Sequence, residues 1–122
     1  MTSVFAISFD CADVSAVAQF WCGTLGGRVS PVPAEDAAVL DIGADADLLR
    51  LAFRKVPGGK FVKNRVHLDL VTDDFDAEGA RLLSLGAVRL HNVARPGARW
   101  TTFADVEGNE FDLIDAHVRN QQ

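Results

Sequence analysis

The sequence predicts an α+β fold built from two βαβββ modules. Three observations lead there: a pattern repeated at an offset of 61 residues, an aspartate placed to open each copy's helix, and strand-like alternation around that helix. Laying FAISFDCADVSAVAQFWCGTLGG over VHLDLVTDDFDAEGARLLSLGA sets Asp13 on Asp74 and Ala16 on Ala77. Leu25-Gly26 meets Leu85-Gly86 after a one-residue slip.

The first strand is expected over residues 4–10, where Phe5, Ile7 and Phe9 alternate with Ala6, Ser8 and Asp10. Asp13 is suited to cap a helix, because its carboxylate can accept from the open amides of the first turn. Val14, Val17, Ala18 and Trp21 follow at helical spacing, with Trp21 on the core stripe, and Gly26-Gly27 ends the segment. Strand-like runs follow at 27–32, 37–42 and 47–55, with turn chemistry at Asp45. In the second copy RVHLDL, residues 65–70, opens the module, and Asp74 caps a helix with Phe75, Leu82, Leu83 and Leu85 as its apolar positions. Gly86 stops that helix, and runs at 87–93, 100–104 and 110–114 follow, the last two separated by Glu107-Gly108-Asn109. Val56-Pro57-Gly58-Gly59-Lys60 reads as the linker and residues 120–122 as a frayed tail. The chain is thus expected to be a single domain with modules at about 1–56 and 61–118.

At 122 residues and 48% hydrophobic content, this chain can build a core without a metal or disulfide. Its net charge of −5 is the wrong sign for a phosphate-backbone partner, so no nucleic acid is expected. No apolar run approaches the roughly 20 residues of a membrane helix, so no membrane association is expected. The first residues, MTSVFAISFD, lack the charged start of a signal peptide, and the expected location is cytoplasmic. If Asp13 opens a helix, Cys22 lies about 14 Å along it at 1.5 Å per residue. That separation is too far from Cys11 for a disulfide, and both cysteines are expected as buried thiols.

Three strands show the same division into faces. Val66, Leu68 and Leu70 oppose Arg65, His67 and Asp69; Phe111 and Leu113 oppose Glu110 and Asp112; and the first strand divides likewise. The polar set is either a solvated exterior or the floor of a ligand cavity. Glu110 and Asp112, two apart on one strand, sit about 7 Å from each other. They are either a proton shuttle or a pair neutralised by Arg65, Arg99 or His67. Trp100, Thr102 and Ala104 share a face, with Trp100 a candidate pocket wall or core filler. His91 and His117 have no supporting constellation and are expected at the surface.

Two motifs add a resemblance. Lys63-Asn64-Arg65-Val66-His67-Leu68-Asp69-Leu70 and Ala104-Asp105-Val106-Glu107-Gly108-Asn109-Glu110-Phe111 resemble the motifs of the vicinal oxygen chelate superfamily, closest to its glyoxalase-like subgroup. Glyoxalase I, ring-cleaving dioxygenases and the bleomycin- and fosfomycin-resistance proteins belong to that superfamily. The resemblance covers nearly the whole chain. It implies an open, mostly antiparallel, barrel-like arrangement in which Arg65, His67 and Asp69 look into a cleft. Metal-dependent relatives place ligands at positions that correspond here to Ala6, Leu51, His67 and Asp112. Ala6 and Leu51 carry no donor, and Arg50, one register step from Leu51, is no ligand either. His67 and Asp112 alone fall short of the three donors a catalytic divalent ion usually needs. No metal cofactor is therefore expected, unless Ser8, Asp10, Asp69 or Glu110 supplies a third ligand.

The resemblance implies a small-molecule ligand or substrate and a homodimer, with 37–42 as an edge strand needing cover. Two functions compete. One is a metal-independent lyase- or isomerase-type enzyme on a small oxygenated metabolite, with His67 as general acid or base. Glu110 and Asp112 would then shuttle protons or orient the substrate, while Arg65 holds an anionic group. The other is a sequestering protein like the bleomycin-resistance members, with Trp100 and Leu51 against an apolar ligand. A structural subunit with a vestigial cleft is the third reading, and the polar clustering argues against it.

Overall fold

The computed structural model describes residues 1, 3–31, 36–58, 62 and 64–117. Val32, the Gly59-Lys60 half of the linker, Lys63 of the first motif and the tail at 120–122 lie outside the described residues. The chain forms two compact units, Met1–Gly59 and Lys60–Gln122.

Each unit has the βαβββ order. The first comprises β1 (Ile7–Cys11), α1 (Val14–Leu25), β2 (Arg28–Pro31), β3 (Ala37–Ile42) and β4 (Leu49–Lys55). The second comprises β5 (Leu68–Thr72), α2 (Phe75–Ser84), β6 (Val88–Arg95), β7 (Ala98–Ala104) and β8 (Glu110–Asp115). Strand order is β1-β4-β3-β2 in one sheet and β5-β8-β7-β6 in the other. The β1–β4 and β5–β8 pairs are parallel and the remaining pairs antiparallel. A helical crossover after the first strand of each unit allows that parallel pairing.

Both expected caps form. The Ala16 amide donates to Asp13 Oδ1 at 3.0 Å and the Ala77 amide to Asp74 Oδ1 at 3.3 Å. Behind the first cap, Val17, Ala18, Phe20 and Trp21 are buried. The Trp21 ring lies 5.5 Å from Phe9, and Phe9 lies 5.3 Å from Phe53. In the second unit Leu82, Phe103, Phe111 and Leu113 are at most 1% exposed, with Phe103 and Phe111 stacked at 5.6 Å.

The structure corrects four expectations. Phe5 and Val66, placed in the core by alternation, are each 78% exposed. They precede β1 and β5, so no sheet neighbour fixes them on the helix-covered face. Strand β3 is not an edge; it lies between β4 and β2. Asp47 belongs to a short 3₁₀ turn, and β4 starts only at Leu49. Cys11 is buried as expected, but Cys22 is only half-buried, and both are free thiols. Among the described residues, no helix is long and apolar enough to cross a membrane.

Candidate functional site

The two motifs of the second unit meet each other. Asp105, 3% exposed, accepts from the amides of Glu107 and Asn109 at 2.8 and 2.9 Å and so shapes the turn before β8. Gly108 in that turn has φ 87°, a left-handed conformation that glycine adopts without steric cost. Asn64 then docks onto the turn's far end. Its amide donates to Glu110 Oε2 and its Oδ1 accepts from the Glu110 amide, both at 3.1 Å, while Nδ2 donates to Asn109 at 3.3 Å. This clamp fixes the segment leading into β5 beside the start of β8. Glu110, a candidate for either a proton-shuttling or a neutralised pair, thus has its carboxylate engaged in holding the chain entering β5.

Beyond the clamp, sheet pairing assembles a polar row. Asp69 on β5 is paired with Asp112 on β8, Asp112 with Thr102 on β7, and Thr102 with His91 on β6. His67, just ahead of β5, places Nδ1 3.0 Å from Asp69 Oδ1. The Thr102 hydroxyl, in a residue only 8% exposed, donates to Asp112 Oδ1 at 2.6 Å. Ligand atoms of His67, Asp69 and Asp112 lie within 4.8 Å of one another. His67 and Asp69 are open to solvent, with side chains 38% and 54% exposed. Arg65 is exposed in the bend ahead of His67, and no described contact ties it to the two aspartates.

His91 and Thr102 extend the site beyond the sequence expectation. Register shifts between Arg89 and His91, so Arg89 pairs with Phe103 but His91 with Thr102. That irregularity changes the parity of β6 and brings His91 onto the polar row. No local sequence signal marks it.

In the first unit the corresponding row is Ser8 with Ala52, Ala52 with Val39, and Val39 with Ser30. Leu51 is therefore corrected as a cleft residue. Counting by 61 matches it to Asp112, but strand pairing gives Ala52 that place, and a one-residue step reverses the face. Leu51 is 0% exposed, in the helix-covered row with Ile7 and Leu40. Arg50 on the opposite face is bound to Asp41, Nε to Oδ1 at 2.7 Å, and its guanidinium lies 4.5 Å from the Phe5 ring centroid. That hydrogen bond holds the Asp41 carboxyl below its usual range and raises the Arg50 pKa. Asp10 faces Arg54 at 3.5 Å. Trp100 is half-buried; its pairing with Ile114 puts it on the same face as Thr102 and Asp112, with the Arg95 guanidinium 5.6 Å from its ring centroid.

The donor chemistry of the second unit fits a divalent ion. One imidazole and two carboxylates supply the three donors that an open catalytic site requires, all on one unit. Asp69 is the member that the two-donor reading lacked.

Solved structures share this fold. A point mutant of the fosfomycin resistance protein FosX from Listeria monocytogenes, complexed with Mn(II) and 1S,2S-dihydroxypropylphosphonic acid, superposes with a TM-score of 0.74 at 15% identity. The match covers 93% of this chain and 90% of that one. FosX from Mesorhizobium loti gives 0.70 at 18% identity, covering 99% and 98%. The hypothetical protein SA1046 from S. aureus gives 0.69 at 16% identity, covering 94% and 98%. No functionally curated protein matches the chain in sequence. At these identities the structural likeness speaks for the fold alone. A family model described as a glyoxalase-like domain matches residues 6–114. That span includes both β-α units and the strand carrying Asp112, and with it the chain belongs to the glyoxalase-like domain family.

Proposed function

We propose that the protein binds a small oxygenated metabolite against the polar row of the second unit and moves a proton on it, as a lyase- or isomerase-type enzyme without a tightly held metal. The observation that carries this reading is the His67–Asp69 contact at 3.0 Å with Asp112 in reach. With Nδ1 turned towards Asp69 Oδ1 at 3.0 Å, Nε2 is the ring nitrogen left to take or give the proton. Asp112, held by Thr102, orients a substrate hydroxyl or shares the proton. Arg65 supplies a cation for an anionic substituent, and Glu110 keeps the approach to β5 in place. The working form is a cytoplasmic homodimer, with small molecules as its partners.

One observation favours a second reading. If a divalent ion is bound, His67, Asp69 and Asp112 are the residues that hold it. Held there, it would supply Lewis-acid polarisation of substrate oxygens, with His67, Asp69 and Asp112 as its protein ligands. A third reading, metal-free sequestration without turnover, shares the binding site and lacks the chemistry.

Elemental analysis after dialysis without chelator separates the first two readings. The proposal expects less than stoichiometric metal and activity indifferent to chelators. About one ion per chain, lost in both His67→Ala and Asp69→Asn, would replace the first reading with the second. A screen of small hydroxy and oxo acids, scored for turnover and for thermal stabilisation, separates catalysis from sequestration. Stabilisation that survives His67→Ala, with no turnover by either protein, assigns sequestration.

A further inference from the structure

The second unit contains a cavity of about 530 Å³ on the face of its sheet opposite the His67 row, between α2 and strands β6–β8. Phe75 and Gly79 border it from the helix, Leu113 and Thr101 from the sheet, and Arg89 and Asn92 from β6. The volume falls within the range of small-molecule sites.

The repeat explains why space opens here. In the first unit Phe9 pairs with Phe53, and Trp21 packs on Phe9. The 61-residue offset carries Phe9 to Leu70, Trp21 to Leu82 and Ala18 to Gly79, while Leu70 pairs with Leu113 as Phe9 does with Phe53. Three aromatic rings thus become three leucines, and a helical alanine becomes a glycine. The aromatic bulk of the second unit is one row away, in the Phe103–Phe111 stack. The row left with leucine continues into Thr101 and Asn92, a polar pair at the place of Ala38 and Pro31.

The polar groups of this cavity are chiefly donors. The buried Thr101 hydroxyl donates to Asn92 Oδ1 at 2.6 Å, and among the described residues the Asn92 Nδ2 amide has no hydrogen-bond acceptor. Arg99 is already balanced: it lies 3.3 Å from Asp76 and 3.3 Å from the buried Asp115, with its guanidinium carbon 4.2 Å from the Phe75 centroid. Its Nε, though near Asp115, lacks hydrogen-bond geometry. Arg89 has no ion pair among the described residues; its guanidinium is 5.8 Å from the Phe103 centroid and 3.6 Å from the position a Gly79 Cβ would take. One unbalanced cation and one amide donor beside Phe75 and Leu113 complement an anion with an apolar body.

We propose that this helix-side cavity binds a small carboxylic acid with an aromatic or branched apolar body, at a site separate from the His67 row. The carboxylate meets Arg89 and Asn92, and the body lies along Phe75 and Leu113. Calorimetric titration with 4-phenylbutyrate and its neutral amide tests this. Saturable binding of the acid is expected, with the amide at least about tenfold weaker, the loss of one charge-assisted hydrogen bond. Arg89→Gln should weaken the acid to the level of the amide, Gly79→Leu should fill the cavity and abolish binding, and His67→Ala should leave binding unchanged. Backbone NMR shifts of the Arg89→Gln protein keep the test valid if Gly79→Leu does not fold. Equal affinity for acid and amide, no binding at millimolar concentration, dependence on His67, or competition by self-association at the same surface would each overturn the proposal.

Discussion

The two modules share one chain path yet divide the work of packing and chemistry unequally. The first puts Phe9, Trp21 and Phe53 under its helix and presents Ser8, Ala52, Val39 and Ser30 on the other face. The second puts leucines in the matching core row and presents Asp69, Asp112, Thr102 and His91. Tight aromatic packing accompanies a chemically plain face, and looser aliphatic packing accompanies the face with titratable groups. The fold needs only the alternation and the caps. Which side chains occupy each row is free to diverge between copies, and function follows that divergence.

The largest effect that could break this comparison is a core truncation. Trp21→Ala should cost roughly 3–5 kcal/mol, and Leu82→Ala about 2–3 kcal/mol, because truncating a leucine removes fewer buried atoms than truncating an indole. Chemical denaturation measures both. Equal losses would mean that the second module packs as tightly as the first. Trp100→Ala, at a half-buried rim position, should cost less than either.

A polar-face substitution should do the reverse. His67→Ala is expected to leave stability within about 0.5 kcal/mol, as for an exposed side chain, while removing the proposed proton transfer. A loss of more than 2 kcal/mol would assign His67 a structural role instead. In the same face, Asp112→Asn keeps an acceptor for Thr102 and should reduce activity more than stability.

Gly79→Ala should stabilise the second helix by about 0.5–1 kcal/mol, since alanine loses less backbone entropy than glycine in a helix. Its Cβ would meet Arg89 at 3.6 Å and Phe103 at 3.8 Å, both ordinary contacts. Destabilisation would show that the cavity wall is closer-packed than these distances allow.

The smallest effect concerns the face of the first module's sheet that points away from its helix. The bond from Arg50 lowers the Asp41 pKa, so the ionised form is favoured in the folded state. The resulting contribution is fully present above the unfolded carboxylate value near about 3.9 and is lost as pH falls through the lower folded value. Asp41→Asn should therefore reduce stability slightly at neutral pH and converge with the parent protein in strong acid. A difference that persists unchanged into acid would exclude this bond as its source.

The amino-acid sequence by itself determined the module order, because helix caps and period-2 alternation are local properties. Asp13 and Asp74 cap where they stand, and Leu25 and Leu85 mark helix ends, whatever surrounds them. It also supplied His67 and Asp69, which the first motif carries, and Asp112, which directly follows the second. Strand pairing decided the rest. Ala52 rather than Leu51 faces away from the helix because the β1–β4 register says so, and a one-residue step reverses a side chain. His91 joins Thr102 and Asp112 only through the shift in β6. Phe5 and Val66 stand exposed because the strands begin after them. Glu110 became a clamp because Asn64, 46 residues earlier, folds against it. Register, irregular pairing and long-range clamps depend on residues distant in the chain, and no local pattern encodes them.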